Sequence, residues 1–240
     1  MQVFQLQVCN DSAILVAQAV ESWRQWSTEA IAARGSFRVA LAGGSTPKQL
    51  YAQLAQTSGL DWEKTILAWG DERYVPPNHA DSNYRMTRES LLDHIQIPAR
   101  NLLPWPTAAG NPEQDAAQYA HSLQQALGSP VPVFDLVLLG VGGDGHTASL
   151  FPGTEALLVT ESITAVGSKD GEPRLTLTYP IINASCRVMF LVAGSAKAEI
   201  MAELLTSAPQ YPAQQVQPQG SLVWMLDQAA AAKLPLAIHL

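Results

Sequence analysis

The residues best suited to chemistry lie in one short stretch, Gly140-Val-Gly-Gly-Asp-Gly-His-Thr-Ala-Ser149. Asp144 and His146 emerge from a loop with four glycines among the six positions 140–145. So dense a glycine run is entropically costly, and it marks left-handed backbone or close approach of the main chain to something else. Histidine exchanges protons near neutral pH, and a nearby carboxylate can orient it for acid–base work. Other segments carry complementary groups. Gly43, Gly44, Ser45 and Thr46 offer backbone donors and hydroxyls, Asp71 a second carboxylate, and Arg73, Arg174 and Lys197 three cations. Helix starts and cations neutralise phosphate, and histidine with a carboxylate moves protons, so the set suits a small phosphorylated substrate.

These residues can meet only if the segments carrying them end on one edge of a sheet. Each follows or flanks an apolar run that reads as a strand: Phe37–Ala42, Thr65–Trp69, Phe134–Leu139 and Arg187–Ala193. Further strands are expected at 3–8, at Leu102-Leu103 and at Leu222–Leu226. Between them lie helical patterns: Ala13–Ala33, Pro47–Ala55, Asp81 to about His94, Glu113–Leu127, Gly194–Leu205 and Gln228–Lys233. This alternation predicts an α/β fold, Rossmann-like, with a mainly parallel sheet covered by helices on both faces. Ser162–Val166 and Arg174–Tyr179, joined by a turn at 167–171, add a small antiparallel hairpin subdomain around 160–185. The whole is expected to be a single domain over residues 1–240, ending in a short apolar tail. In such a sheet, loops at the carboxyl ends of different strands converge on a ligand. Lys197, in a first helical turn where a cation is unfavourable, points to an anion nearby.

Each piece alone also has a structural reading. Asp71-Glu72-Arg73 by itself reads as a solvated turn, His146 as a satisfied histidine and Arg174 as the wet face of an alternating strand. Gly140-Val-Gly-Gly-Asp-Gly145 matches G-x-G-x-x-G only in spacing and sits mid-chain, which argues against a dinucleotide site. A Walker lysine, a G-x-S-x-G elbow and zinc-ligand spacing are absent. Cys9 and Cys186 read as buried free thiols in a reducing compartment. A formal net charge of -7 argues against a general nucleic-acid or anionic-membrane surface. There is no signal-peptide pattern and no run approaching the ~20 apolar residues of a membrane helix, so the expected location is cytoplasmic.

Taken in order, the motifs resemble the 6-phosphogluconolactonase family. The resemblance rests on Leu41-Ala-Gly-Gly-Ser-Thr-Pro47, Trp69-Gly-Asp-Glu-Arg-Tyr-Val-Pro76 running into His79-Ala-Asp-Ser-Asn83, and the stretch Gly140–Gly153. Arg174-Leu-Thr-Leu-Thr178, Pro180-Ile-Ile-Asn183 and Gly194-Ser-Ala-Lys197 complete it. Amino-sugar phosphate isomerases and deaminases of the same superfamily share the glycine loop, but Thr147-Ala-Ser-Leu-Phe-Pro152 is the lactonase continuation. The resemblance implies a deaminase/isomerase-like sheet with a small β subdomain. It also implies hydrolysis of 6-phospho-D-glucono-1,5-lactone to 6-phosphogluconate in the oxidative pentose phosphate pathway, with no metal or organic cofactor. His146 would then serve as base and later acid, with Asp144 or Asp71 orienting it or the water. Backbone N–H groups of Gly43, Gly44 and Ser45 would hold the oxyanion, Arg174 and Lys197 the phosphate, and Arg73 would support them. The expected partner is the sugar lactone alone, bound by a monomer or weak homodimer. A glucosamine-6-phosphate deaminase or isomerase, and a non-catalytic sugar-phosphate sensor, are the alternatives.

Overall fold

The computed structural model describes residues 3–235. The expected terminal tail lies largely outside that range. In chain order the elements are β1 (Val3–Cys9), α1 (Ser12–Arg34), β2 (Phe37–Leu41), α2 (Ser45–Leu54), β3 (Thr65–Trp69) and β4 (Asp71–Arg73). Then come α3 (Asn83–Ser90), β5 (Leu102–Leu103), α4 (Pro112–Leu127), β6 (Leu136–Leu139), β7 (Thr164–Lys169) and β8 (Glu172–Leu177). The last five are α5 (Tyr179–Asn183), β9 (Arg187–Val192), α6 (Ala198–Thr206), β10 (Ser221–Asp227) and α7 (Gln228–Ala231).

Seven strands form one sheet in the order β1-β10-β9-β6-β2-β3-β5, with every pair parallel. All four residues of β6 are buried. Successive side chains point to opposite faces, so complete burial means that both faces are covered. From β2 the chain steps outward to β3 and β5. It returns at β6 on the other side of β2 and then builds toward β9 and β10. The reversal opens a crevice between the carboxyl ends of β2 and β6, where open α/β sheets bind ligands.

The helix starts are not equivalent. Asp11, Ser82 and Asn111 each close an N-terminus by accepting a backbone N–H, on α1, α3 and α4. α2 begins after Gly44 with no side-chain cap, so its first-turn N–H groups stay open beside that crevice.

A second sheet, β4-β8-β7, is antiparallel and revises two expectations. Asp71–Arg73 is a short strand and not a solvated turn, because Glu72 is only 3% exposed and pairs opposite Leu175. The hairpin is also tighter than expected. Strands β7 and β8 flank Asp170-Gly171, whose φ angles of 54° and 81° fit the mirror-image turn that Asp-Gly favours.

Candidate functional site

A cavity of about 290 Å³ lies at the carboxyl ends of β9, β6, β2 and β3, four neighbours in the sheet. Gly43, Gly44 and Ser45 form one wall, and Asp71, Arg73 and Asn83 another. His146 and Lys197 reach it from the loops after β6 and β9. Tyr51, fully buried on α2, brackets Ala42, the residue that follows β2. Its hydroxyl donates to the Ala42 carbonyl at 2.8 Å and accepts the Ala42 N–H at 3.0 Å. The chain therefore leaves β2 in a fixed direction. The N–H groups of Gly43 and Gly44 have no hydrogen-bond partner among the described residues, so they can serve a ligand.

After β6 the chain makes a turn closed by its own backbone. Gly142 N–H donates to the His146 carbonyl at 2.9 Å, and Gly145 N–H to the Gly142 carbonyl at 3.1 Å. The Thr147 hydroxyl ties the exit of the loop to the Gly140 carbonyl at 2.9 Å. Within this turn Asp144 Oδ1 accepts the His146 backbone N–H at 3.2 Å and lies 2.5 Å from His146 Nδ1. Gly142 makes the arrangement possible, since a Cβ there would lie 2.0 Å from Nδ1 and 2.6 Å from Oδ1. The imidazole also leans on Phe151, with ring centroids 4.4 Å apart. Partial burial opposes ionisation of Asp144, but its hydrogen bonds and charge interaction with His146 prevail and hold the carboxyl below the ordinary range. With Asp144 on Nδ1, neutral His146 keeps Nε2 as its free acceptor.

Asp71 is held elsewhere. Its Oδ2 accepts the hydroxyl of buried Ser149 at 2.7 Å, and Ser149 N–H in turn donates to Thr176 Oγ1 at 3.2 Å. Burial lifts the Asp71 carboxyl above the ordinary range, only partly offset by Ser149 and by the charges of Arg73, His146 and Arg174. Glu72 points the other way, onto the start of α3. It accepts the N–H groups of Asn83 at 2.7 Å, Tyr84 at 2.8 Å and Arg73 at 2.9 Å, as well as the Ser82 hydroxyl at 3.1 Å. An anion at a helix N-terminus is favourable, yet burial still leaves the Glu72 carboxyl raised.

That seat fixes Asn83, which is 2% exposed. Its Oδ1 accepts from Arg73 Nη1 at 2.9 Å, and its Nδ2 donates to the Asp71 carbonyl at 2.9 Å. Gly43 lies directly against it, where a Cβ would come within 2.0 Å of Oδ1. Arg73 also donates to the Asp81 carbonyl at 2.6 Å, so its guanidinium is aimed from two sides.

The structure thus gathers Gly43, Gly44, Ser45, Asp71, Arg73, His146 and Lys197 around one cavity. Asp144 stands behind the histidine. Arg174 is placed differently: it lies opposite Arg73 in the β4–β8 ladder and donates to Glu172 at 3.1 Å, outside the cavity wall. Lys197 has no carboxylate partner among the described residues, since nearby Glu199 pairs with Lys233. Sequence reading gave no role in the site to Asn83, Glu72, Ser149 or Tyr51. For Asn83, Glu72 and Ser149 the available signal was their place inside the motifs that carry the functional groups, and Tyr51 lies four residues past the first motif.

Residues 10–224 match the family described as glucosamine-6-phosphate isomerases/6-phosphogluconolactonase. A 6-phosphogluconolactonase of Synechocystis sp. is 49% identical over 96% of this chain and 98% of its own length. One from Nostoc sp. is 46% identical over 95% and 98%. The crystal structure of 6-phosphogluconolactonase from Thermotoga maritima superposes with a TM-score of 0.82 at 30% identity, covering 95% of this chain and all of that one. No helix among the described residues is long and apolar enough to cross a membrane.

Proposed function

From its membership of the glucosamine-6-phosphate isomerase/6-phosphogluconolactonase family, to which this chain belongs, we propose that it hydrolyses 6-phospho-D-glucono-1,5-lactone to 6-phospho-D-gluconate. In this reading it serves the oxidative pentose phosphate pathway. The observation that carries the chemistry is the Asp144–His146 pair at 2.5 Å, set on a cavity that also presents Lys197 and unpartnered backbone donors.

A δ-lactone carbonyl is already electrophilic, so water can attack C1 without a covalent enzyme intermediate. Nε2 of His146 takes a proton from that water as its oxygen bonds to C1. The carbonyl electron pair moves onto oxygen, and the N–H groups of Gly43, Gly44 and Ser45 receive the oxyanion. When C1–O5 breaks, the imidazolium returns its proton to O5, and the chain opens as a hydroxy acid. Asp144 stabilises the imidazolium between the two transfers. Positioned proton transfer of this kind contributes roughly 10²–10⁴ in rate. Asp71, held by Ser149, orients the water or a ring hydroxyl.

Lys197 takes the phosphate. Arg73, held by Asn83, bridges to substrate hydroxyls. Arg174, the other cation assigned to phosphate, adds positive field from the β8 side.

A pH-stat assay with freshly made lactone, corrected for its spontaneous hydrolysis, tests the reaction directly. Acid release far above the spontaneous rate is expected, without ammonia release from glucosamine 6-phosphate; the reverse pattern would overturn the proposal. Lys197→Ala should raise KM for the phosphorylated lactone by roughly 10-fold or more, the weight of one charge-assisted hydrogen bond. Hydrolysis of unphosphorylated gluconolactone should stay unchanged; equal losses on both substrates would remove Lys197 from the phosphate site.

A further inference from the structure

The Pro- and Gln-rich segment 206–220, which carries none of the family motifs, meets the histidine loop directly. Gly145, the residue before His146, has φ of +75°, and a Cβ built on it would lie 2.5 Å from Tyr211 Cδ1 and 2.7 Å from Cγ. The Tyr211 ring therefore rests against the main chain of Gly145. On the same residue, Ala213 N–H donates to the Gly145 carbonyl at 3.0 Å. The peptide that carries His146 is thus gripped at its α-carbon and at its oxygen by one short segment.

That segment is itself anchored. Tyr211 N–H donates to Gln214 Oε1 at 2.9 Å, and Gln214 Nε2 donates to the Leu204 carbonyl at 3.0 Å near the end of α6. The Tyr211 hydroxyl donates to Glu203 of the same helix. From α5, the Tyr179 hydroxyl donates to the Pro212 carbonyl at 2.9 Å. The loop's own closing bonds are local, from the Gly142 and Gly145 N–H groups and the Thr147 hydroxyl, and this segment adds a bond from outside.

We infer that Tyr211 is a positioning residue, whose ring, with the Ala213 N–H, holds the Gly145–His146 peptide so that the imidazole presents Nε2 to the substrate in a reactive orientation. This rests on the lactonase reading for its activity test, though the positioning itself does not. The ring does the positioning, and the hydroxyl only tethers it to α6. Small displacements of a catalytic group cost rate far more than they cost binding.

The test compares Tyr211→Ala and Tyr211→Phe with the wild-type protein. Tyr211→Ala should lower kcat on the lactone roughly 10- to 100-fold with KM little changed, because it removes the ring but no substrate contact. Tyr211→Phe keeps the ring and should stay within about twofold of wild type. The second readout is NMR of the His146 ring in the free protein. Its Nδ1 proton, held by Asp144, should move upfield or exchange faster in Tyr211→Ala and be retained in Tyr211→Phe. A Tyr211→Ala protein with wild-type kcat and an unchanged His146 signal would overturn the inference. So would a rise in KM with kcat intact, since that would place Tyr211 in binding. If the wild-type protein fails to hydrolyse the lactone, the reaction is wrong, and the NMR comparison still decides the positioning.

Discussion

Between them, the Asp144 and Asp71 carboxylates could have served the histidine in either combination, and their hydrogen bonds separate them. Asp144 meets Nδ1 within a local turn of three residues, whereas Asp71 is bound by Ser149 from the loop's far end. His146→Ala should therefore cut kcat at least ~100-fold with KM little changed, as expected for loss of a proton-transfer group. Asp144→Asn keeps an oxygen near Nδ1 but removes the charge that stabilises the imidazolium, so a kcat loss of roughly 10²-fold is expected. Steady-state kinetics on both variants checks this, and full activity in either removes that residue from proton transfer. The residue types were legible, because glycines, Asp144 and His146 follow an apolar run in a pattern that chemistry explains. The choice between carboxylates was not, since it depends on where Ser149 meets Asp71 across 78 positions of chain. Tyr51 and Tyr211 were equally hidden. A tyrosine in a sequence does not reveal whether its hydroxyl or its ring is used.

At the level of elements, loops after β2 and β6 carry most of the site, and their contacts explain where glycine is required. The Gly43 α-carbon lies against the side chain of Asn83, which also holds Arg73. Gly43→Ala must displace that amide and, with it, the guanidinium and the wall of backbone donors. We expect kcat/KM to fall by at least ~10-fold, about 1.4 kcal/mol of transition-state stabilisation, with the far-ultraviolet circular dichroism unchanged. Wild-type kinetics in that variant would show that Asn83 and the loop do not need this contact. Helices and central strands were readable from period and length. β4 was not, because three consecutive charges look solvated until α3 is seen to offer Glu72 its N-terminal N–H groups. The hairpin was found but read with too long a turn, although Asp170-Gly171 carried the signal for a two-residue connection.

Across the whole molecule, placing charge at a buried sheet edge links stability to pH. Burial raises both Asp71 and Glu72 above the ordinary values of 3.8 and 4.5. A carboxyl raised by folding binds its proton more tightly in the native state. Its stabilising share is full below the unfolded value and is lost as pH rises through the folded one. Asp71→Asn removes that share. The melting temperature of the variant minus that of the wild type should therefore become more positive as pH rises above the ordinary carboxyl value of 3.8. A difference that stays constant with pH would show that Asp71 is not raised. The sequence pattern announced the parallel sheet, because apolar strands alternated with helices. The order of its strands follows from long-range packing that no local pattern encodes.

That order ties the two ends of the described chain together. Among the described strands β1 has one neighbour, β10, and they run in register from Val3 opposite Ser221 to Cys9 opposite Asp227. During synthesis the first of these ten strands to be made is thus the last to find its pairing. It waits unpaired while β2, β3, β5, β6 and β9 can already assemble beside one another, and parallel pairing at such separation is slow. A nascent chain stalled before Ser221 could hold the crevice between β2 and β6 while Val3–Cys9 remained without a sheet, so the molecule is sealed at the edge farthest from its chemistry only when translation has passed Asp227.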